Sequence, residues 1–170
     1  GRAECQRVRL RERALAAETA GPVVLEAPAG VLQFLGKHLR ECAFSGTLTV
    51  RGTSLLDFEP GNTVEDAYGL AFDIGTTTLV GALMHLASGD EMGVVSDMNP
   101  QTVFGDDVVS RIAFASRGAA ELSTIRACLL DRLRAMVRQL CEDAGISTQH
   151  IYAAAFAGNT TMQHLLVGCD

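Results

Sequence analysis

At 170 residues, with 48% hydrophobic and 20% charged side chains, the chain can bury one good core, or a smaller core and part of another. Its net charge of −6 argues against nucleic-acid binding by bulk electrostatics, and no run approaches the ~18 consecutive apolar residues of a membrane span. The five cysteines, Cys5, Cys42, Cys128, Cys141 and Cys169, include no CxxC pair; no structural zinc site or complete iron–sulfur cluster can be read from them, and their odd number favours a reducing, cytoplasmic setting.

In chain order, Arg2, Arg7, Arg9, Arg11 and Arg13 make the amino end basic, as in a solvated arm or strand, and no long apolar segment follows them as in a signal peptide. Residues 1–27 read as a linker or terminal arm, with a short strand at Val23-Val24-Leu25. Residues 28–67 read as a small α+β module. Val31, Leu32, Leu35 and Leu39 predict a helix over about 29–42, and strands follow at Thr47–Val50 and Leu55–Glu59. Pro60-Gly61-Asn62 then ends the second strand and opens a linker.

The texture changes at Tyr68. Strands are predicted over 70–75, 78–87 and 92–96, joined by short turns as an antiparallel meander. A helix over 106–115 follows, then a longer one over about 122–144. In the longer helix Leu122, Ile125, Leu129, Leu133, Val137 and Leu140 recur every three or four residues before Gly145. A fourth strand over 151–156 is apolar throughout, which places it centrally in a sheet, and 160–167 begins a helix. The fold class is therefore α/β: a ribonuclease-H-like half-domain over 68–170, preceded by the small α+β module. Another strand and helix should continue that half-domain, so the chain reads as a fragment ending inside it.

Three polar blocks interrupt the apolar pattern at strand ends. In the first, Asp73 closes a strand, Gly75 allows close backbone approach, and Thr76, Thr77 and Thr78 offer N–H groups and hydroxyls to phosphate oxygens. A magnesium ion would satisfy the carboxylate and a bound triphosphate together. The bland alternative is a polar turn with Asp73 hydrogen-bonded to its amides. Strand alternation favours Thr76 and Thr77 as ligands and turns Thr78 toward sheet packing. The second block holds Asn99-Pro100-Gln101 and Gly105-Asp106-Asp107. There Gln101 is a candidate for orienting a water at the γ-phosphate, Asp106 a candidate helix cap, and Arg111 reads as a surface or inter-element ion pair. In the third, Gly158-Asn159-Thr160 closes the fourth strand, and Asn159 or Thr160 caps the next helix. His164 reads as packing or surface, with no partner at metal-ligand spacing.

Together these blocks resemble a known family. Ala71-Phe-Asp-Ile-Gly-Thr-Thr-Thr78 is similar to the first phosphate motif of the actin, sugar-kinase and heat-shock-chaperone ATPase superfamily. With Asn99-Pro-Gln101, Gly105-Asp-Asp-Val108, Arg111-Ile112 and Ala157-Gly-Asn-Thr-Thr-Met162, the chain resembles the ATP-dependent reductive activators of corrinoid proteins. The resemblance covers 68–170, as the first part of an actin-like ATPase domain, and more loosely 28–67, as a small middle domain. It implies a protein that binds ATP and Mg2+ in a cleft. Such a protein carries an iron–sulfur cluster, often of the 2Fe–2S type, and returns the cobalt of a corrinoid partner from Co(II) to Co(I). It also implies a possible homodimer; the acidic charge and the short apolar runs point to no nucleic-acid or membrane partner. Carried over, Asp73 would position Mg2+ or water, Gly75, Thr76 and Thr77 would bind phosphate, and Asn99, Gln101, Asp107, Gly158, Asn159 and Thr160 would line the cleft or its rim. The other phosphate and adenosine motifs, and the cluster ligands, are not in this sequence. The activity belongs to the intact protein, and the fragment alone should be inactive. Two other readings stay open: a sugar or acyl kinase of the same superfamily, and a non-catalytic ATP-binding assembly module.

Overall fold

The computed structural model describes residues 4–9, 25–43 and 45–169. The strand expected at Val23-Val24-Leu25 and most of the arginine-rich arm lie outside them, although Glu4–Arg9 forms a strand, β1. The chain divides into two units, one of residues 1–67 with 86–88, the other of 68–85 with 89–170.

In the first unit, β1 pairs antiparallel with β2 (Ser45–Arg51), which pairs antiparallel with β3 (Ser54–Pro60). Helix α1 (Ala29–Glu41) follows Pro28, whose fixed φ suits a helix entrance. Its residues Val31, Leu35 and Leu39, one turn apart, pack on the buried Leu48, Val50, Leu55 and Phe58 of the sheet.

The second unit is an open mixed sheet in the order β6-β5-β4-β7, formed by β4 (Tyr68–Ile74), β5 (Thr78–His85), β6 (Glu91–Met98) and β7 (Ile151–Gly158). The first three run antiparallel, and β7 lies parallel to β4. Leu70, Phe72 and Ile74 are buried while Ala71 and Asp73 between them are exposed, so strand alternation turns one face inward. Helix α3 (Ala119–Ala144) covers that inner face through Ile125, Leu129, Leu133, Met136 and Leu140, spaced three or four apart in a single stripe. It ends at Gly145 in the left-handed conformation, φ 66°. A surface ion pair of 2.6 Å between Arg132 and Asp97 ties α3 to β6, a contact worth at most about 1 kcal/mol. Helices α2 (Val108–Ala115) and α4 (Thr160–Val167) complete the unit.

Strand β7 pairs with β4 along one side and borders the described sheet, with residues 153–157 exposed. Phe156 stacks on Phe72 at 5.5 Å yet is 44% exposed.

Leu129 is fully buried where α3 meets the sheet. Leu129→Ala should cost about 2–5 kcal/mol in urea unfolding, whereas Val103→Ala, at a residue 79% exposed, should stay within about 0.5 kcal/mol of wild type.

Candidate functional site

Strand β4 delivers Asp73 on the face opposite Phe72 and Ile74, leaving its carboxylate exposed one residue before the strand ends. The chain then reverses within three residues, and the Gly75 N–H donates to the Thr78 carbonyl at 3.0 Å. So tight a turn has no room for a side chain, since a Cβ on Gly75 would lie 2.5 Å from the Thr78 oxygen. Close approach within the turn itself therefore requires this glycine.

The turn is held from behind by Asn99, which follows β6 and is fully buried. Its main-chain N–H donates to the Thr77 carbonyl at 2.8 Å, and its Nδ2 donates to the Gly75 carbonyl, also at 2.8 Å. A trans peptide sets its C=O and the following N–H on opposite sides. With the Gly75 carbonyl drawn into the interior, the Thr76 N–H points outward. The Thr76 and Thr77 N–H groups take part in none of the turn's hydrogen bonds. A turn with an outward Thr76 N–H beside a carboxylate suits an anion that arrives with a cation.

Because β7 is parallel to β4, both strands bring their carboxyl ends to the same side of the sheet. Gly158 ends β7 where a Cβ would sit 2.9 Å from the Ile74 oxygen, so only glycine lets the two strand ends approach this closely. Asn159 then caps α4 by accepting the Met162 N–H at 3.0 Å, and its Nδ2 donates to Thr76 Oγ1 at 3.3 Å. Thr160, exposed, opens the helix. Asp73, Gly75, Thr76, Thr77, Gly158, Asn159 and Thr160 thus share one end of the sheet.

The other expected residues stand elsewhere. Gln101 is fully buried; its Nε2 donates to the Ile125 carbonyl of α3 at 3.1 Å, so it presents no surface to a water or phosphate. Arg111, which reads as a surface or ion-paired residue, is also fully buried. Its Nε donates to the Gly105 carbonyl at 2.9 Å and its Nη1 to Met162 Sδ at 3.6 Å, while Nη2 has no acceptor. Burial pushes the guanidinium pKa down, partly offset by the nearby Asp106 carboxylate.

Asp107, not Asp106, caps α2, accepting the Ser110 N–H at 2.7 Å. That bond holds its carboxyl below the ordinary value, and no hydrogen bond joins it to the 75–78 turn. Thr78 is exposed on the Asp73 face rather than in packing. Its neighbour Leu79 is fully buried, and the start of that apolar alternation carries the signal. Met162 is an acceptor for both Asn99 and Arg111; no pattern in a sequence marks a sulfur for that role.

The donor set fits magnesium better than iron–sulfur. Mg2+ asks for one or two carboxylates plus phosphate oxygens and water, which Asp73 beside the turn can meet. Among the described residues no three His, Cys, Asp or Glu side chains converge to hold a metal. Cys141 is buried, and Cys128 points its thiol at the Ile125 carbonyl, with burial pushing both thiols up and away from the thiolate a cluster needs. The described cysteines do not fit an iron–sulfur cluster.

Residues 68–170, the whole second unit, match the family described as the RACo middle region. The chain belongs to this family of reductive activators of corrinoid proteins. It is 41% identical over 119 residues, 69% of its length, to the corrinoid activation enzyme RamQ of Eubacterium limosum. A solved structure of a reductive activator for corrinoid, iron-sulfur protein aligns over 91% of the chain with a TM-score of 0.74 and 34% identity. The chain spans 20% of the first relative and 25% of the second.

The Asp107 cap makes a pH prediction. A depressed folded-state pKa contributes stability that is full above the unfolded value, about 3.9, and is lost as pH falls through the lower folded value. Asp107→Asn keeps a cap but removes the titration. It should leave the urea midpoint at pH 7 nearly unchanged and make the fall in stability below about pH 4 shallower.

Proposed function

We propose that the intact protein containing this chain is an ATP-dependent reductive activator of a corrinoid protein. In this reading residues 68–170 supply the first phosphate-binding loop of a ribonuclease-H-like, actin-like ATPase domain. The observation that carries it is the turn at 75–77, with an outward Thr76 N–H, an exposed Asp73 on one side and the Asn159-capped start of α4 on the other. The likeness to RamQ and to the solved activator supports the corrinoid partner.

Each residue has a task that its chemistry can perform. The N–H groups of Thr76 and Thr77, with the Thr76 hydroxyl, hold terminal phosphate oxygens. Thr160 and Asn159 present polar groups from the facing strand end. Asp73 orients Mg2+ or its water shell, and the ion neutralises phosphate charge when bound. Gln101 acts from the interior, tying the loop after β6 to α3. Asp107 shapes the start of α2 at the rim. An iron–sulfur cluster held elsewhere in the intact protein would supply the one electron that takes the partner's cobalt from Co(II) to Co(I). Activity in the cytoplasm as a homodimer completes the reading.

The test is anaerobic reduction of a Co(II) corrinoid protein by the intact activator, followed by visible absorbance with and without Mg-ATP. Co(I) formation should require Mg-ATP and fall on the order of 100-fold in Asp73→Ala. ATP turnover without reduction of any corrinoid partner would contradict the proposal and favour a kinase or assembly role.

A further inference from the structure

We propose that Asn99 is a positioning residue for phosphate: it makes the 75–77 turn receptive to an anion by holding the carbonyls of Gly75 and Thr77 inward. The inference rests on the phosphate-loop reading above. It assigns Asn99 a place behind the turn, out of reach of the ligand, rather than in the lining of a cleft.

Every polar group of Asn99 is committed. Its N–H holds the Thr77 carbonyl, its Nδ2 holds the Gly75 carbonyl and touches Met162 Sδ at 3.7 Å, and its Oδ1 accepts the Gln101 N–H at 3.0 Å. A main-chain N–H can face only an acceptor, so the Gln101 bond fixes which end of the amide meets Gly75. Gln101 is in turn anchored to α3 through the Ile125 carbonyl. The amide therefore cannot turn without breaking contacts to the 75–77 turn, to α4 and to its own loop at Gln101.

Behind it lies Arg111, fully buried, whose Nη1 donates to the same Met162 sulfur. A thioether is a weak acceptor, and arginine keeps its charge in proteins. A guanidinium so placed puts a buried positive charge against Met162, tempered by the exposed Asp106 and Asp107 carboxylates on the α2 side. Its companion polar atom, Gln101 Oε1, is buried without a partner as well. Burying such groups is costly, and an apolar residue would fill the space more cheaply. Their arrangement does secure the direction of one peptide. If the Gly75 carbonyl lost its inward donor, the 75–76 peptide could rotate and present oxygen to the phosphate in place of N–H.

Asn99→Asp tests this with little change of shape. The carboxylate keeps the acceptor for Gln101 but cannot donate to Gly75. Binding of Mg-ATP and of adenosine to the intact protein would be measured by calorimetry, with Asp73→Ala as a reference for the phosphate site. The expected result is an Mg-ATP dissociation constant raised at least about tenfold, with adenosine binding within about twofold of wild type. Asn99→Asp binding Mg-ATP like wild type overturns the inference and leaves the phosphate reading standing. Equal weakening of Mg-ATP and adenosine also overturns it, because that is the mark of a damaged fold. Wild type and Asp73→Ala binding Mg-ATP alike, or not at all, overturns the phosphate reading and this inference with it. Should Asn99→Asp not fold, threonine-labelled wild type decides: the Thr76 amide resonance should move with Mg-ATP and not with adenosine, and an unmoved resonance overturns the inference.

Discussion

The two hydrogen bonds by which buried Asn99 grips the carbonyls of Gly75 and Thr77 are the constraint on which the second unit's polar architecture turns. They join the first strand-to-strand turn to the loop after β6, so the beginning and end of the meander meet at one residue. From there the contacts spread outward. Gln101 reaches α3 through Ile125, Met162 brings in α4, and Arg111 brings in α2 and Gly105. Five segments of the chain thereby share a single polar knot at the end of an apolar core.

The two kinds of interior have different tasks. The layer of α3 on the sheet, with Ile125, Leu129 and Leu79 fully buried, supplies non-directional stability that tolerates changes of similar shape. The knot around Asn99 adds less net stability, because its polar groups exchange one set of partners for another, and two atoms go unpaired. Its contribution is direction. A rigid apolar layer fixes where the strand ends lie, and the knot fixes which way the peptide at 75–76 faces. A loop that binds an anion through N–H groups needs both.

Much of the fold is legible in the sequence because its signals are periodic. The α3 stripe, the alternation in β4 and the left-handed stop at Gly145 follow from spacing alone. The 75–77 turn is legible for a complementary reason: Asp73-Ile-Gly-Thr-Thr breaks an apolar run with a carboxylate, a glycine and hydroxyls at one point. What escapes is what depends on the third dimension. Arg111 and Gln101 carry the composition of surface residues and are entirely interior, because their partners are backbone oxygens and a sulfur far away in sequence. Asp106 and Asp107 are adjacent and alike, and only the backbone conformation at the start of α2 selects the second as its cap.

The most direct measurement of the central claim is a crystal structure of the intact protein with Mg2+ and a non-hydrolysable ATP analogue. The account predicts terminal phosphate oxygens about 3 Å from the Thr76 and Thr77 nitrogens, with Asp73 facing the ion and Asn99 still on the Gly75 carbonyl. A nucleotide seated with its phosphates away from this turn, or a Gly75 carbonyl rotated to face them, would contradict it.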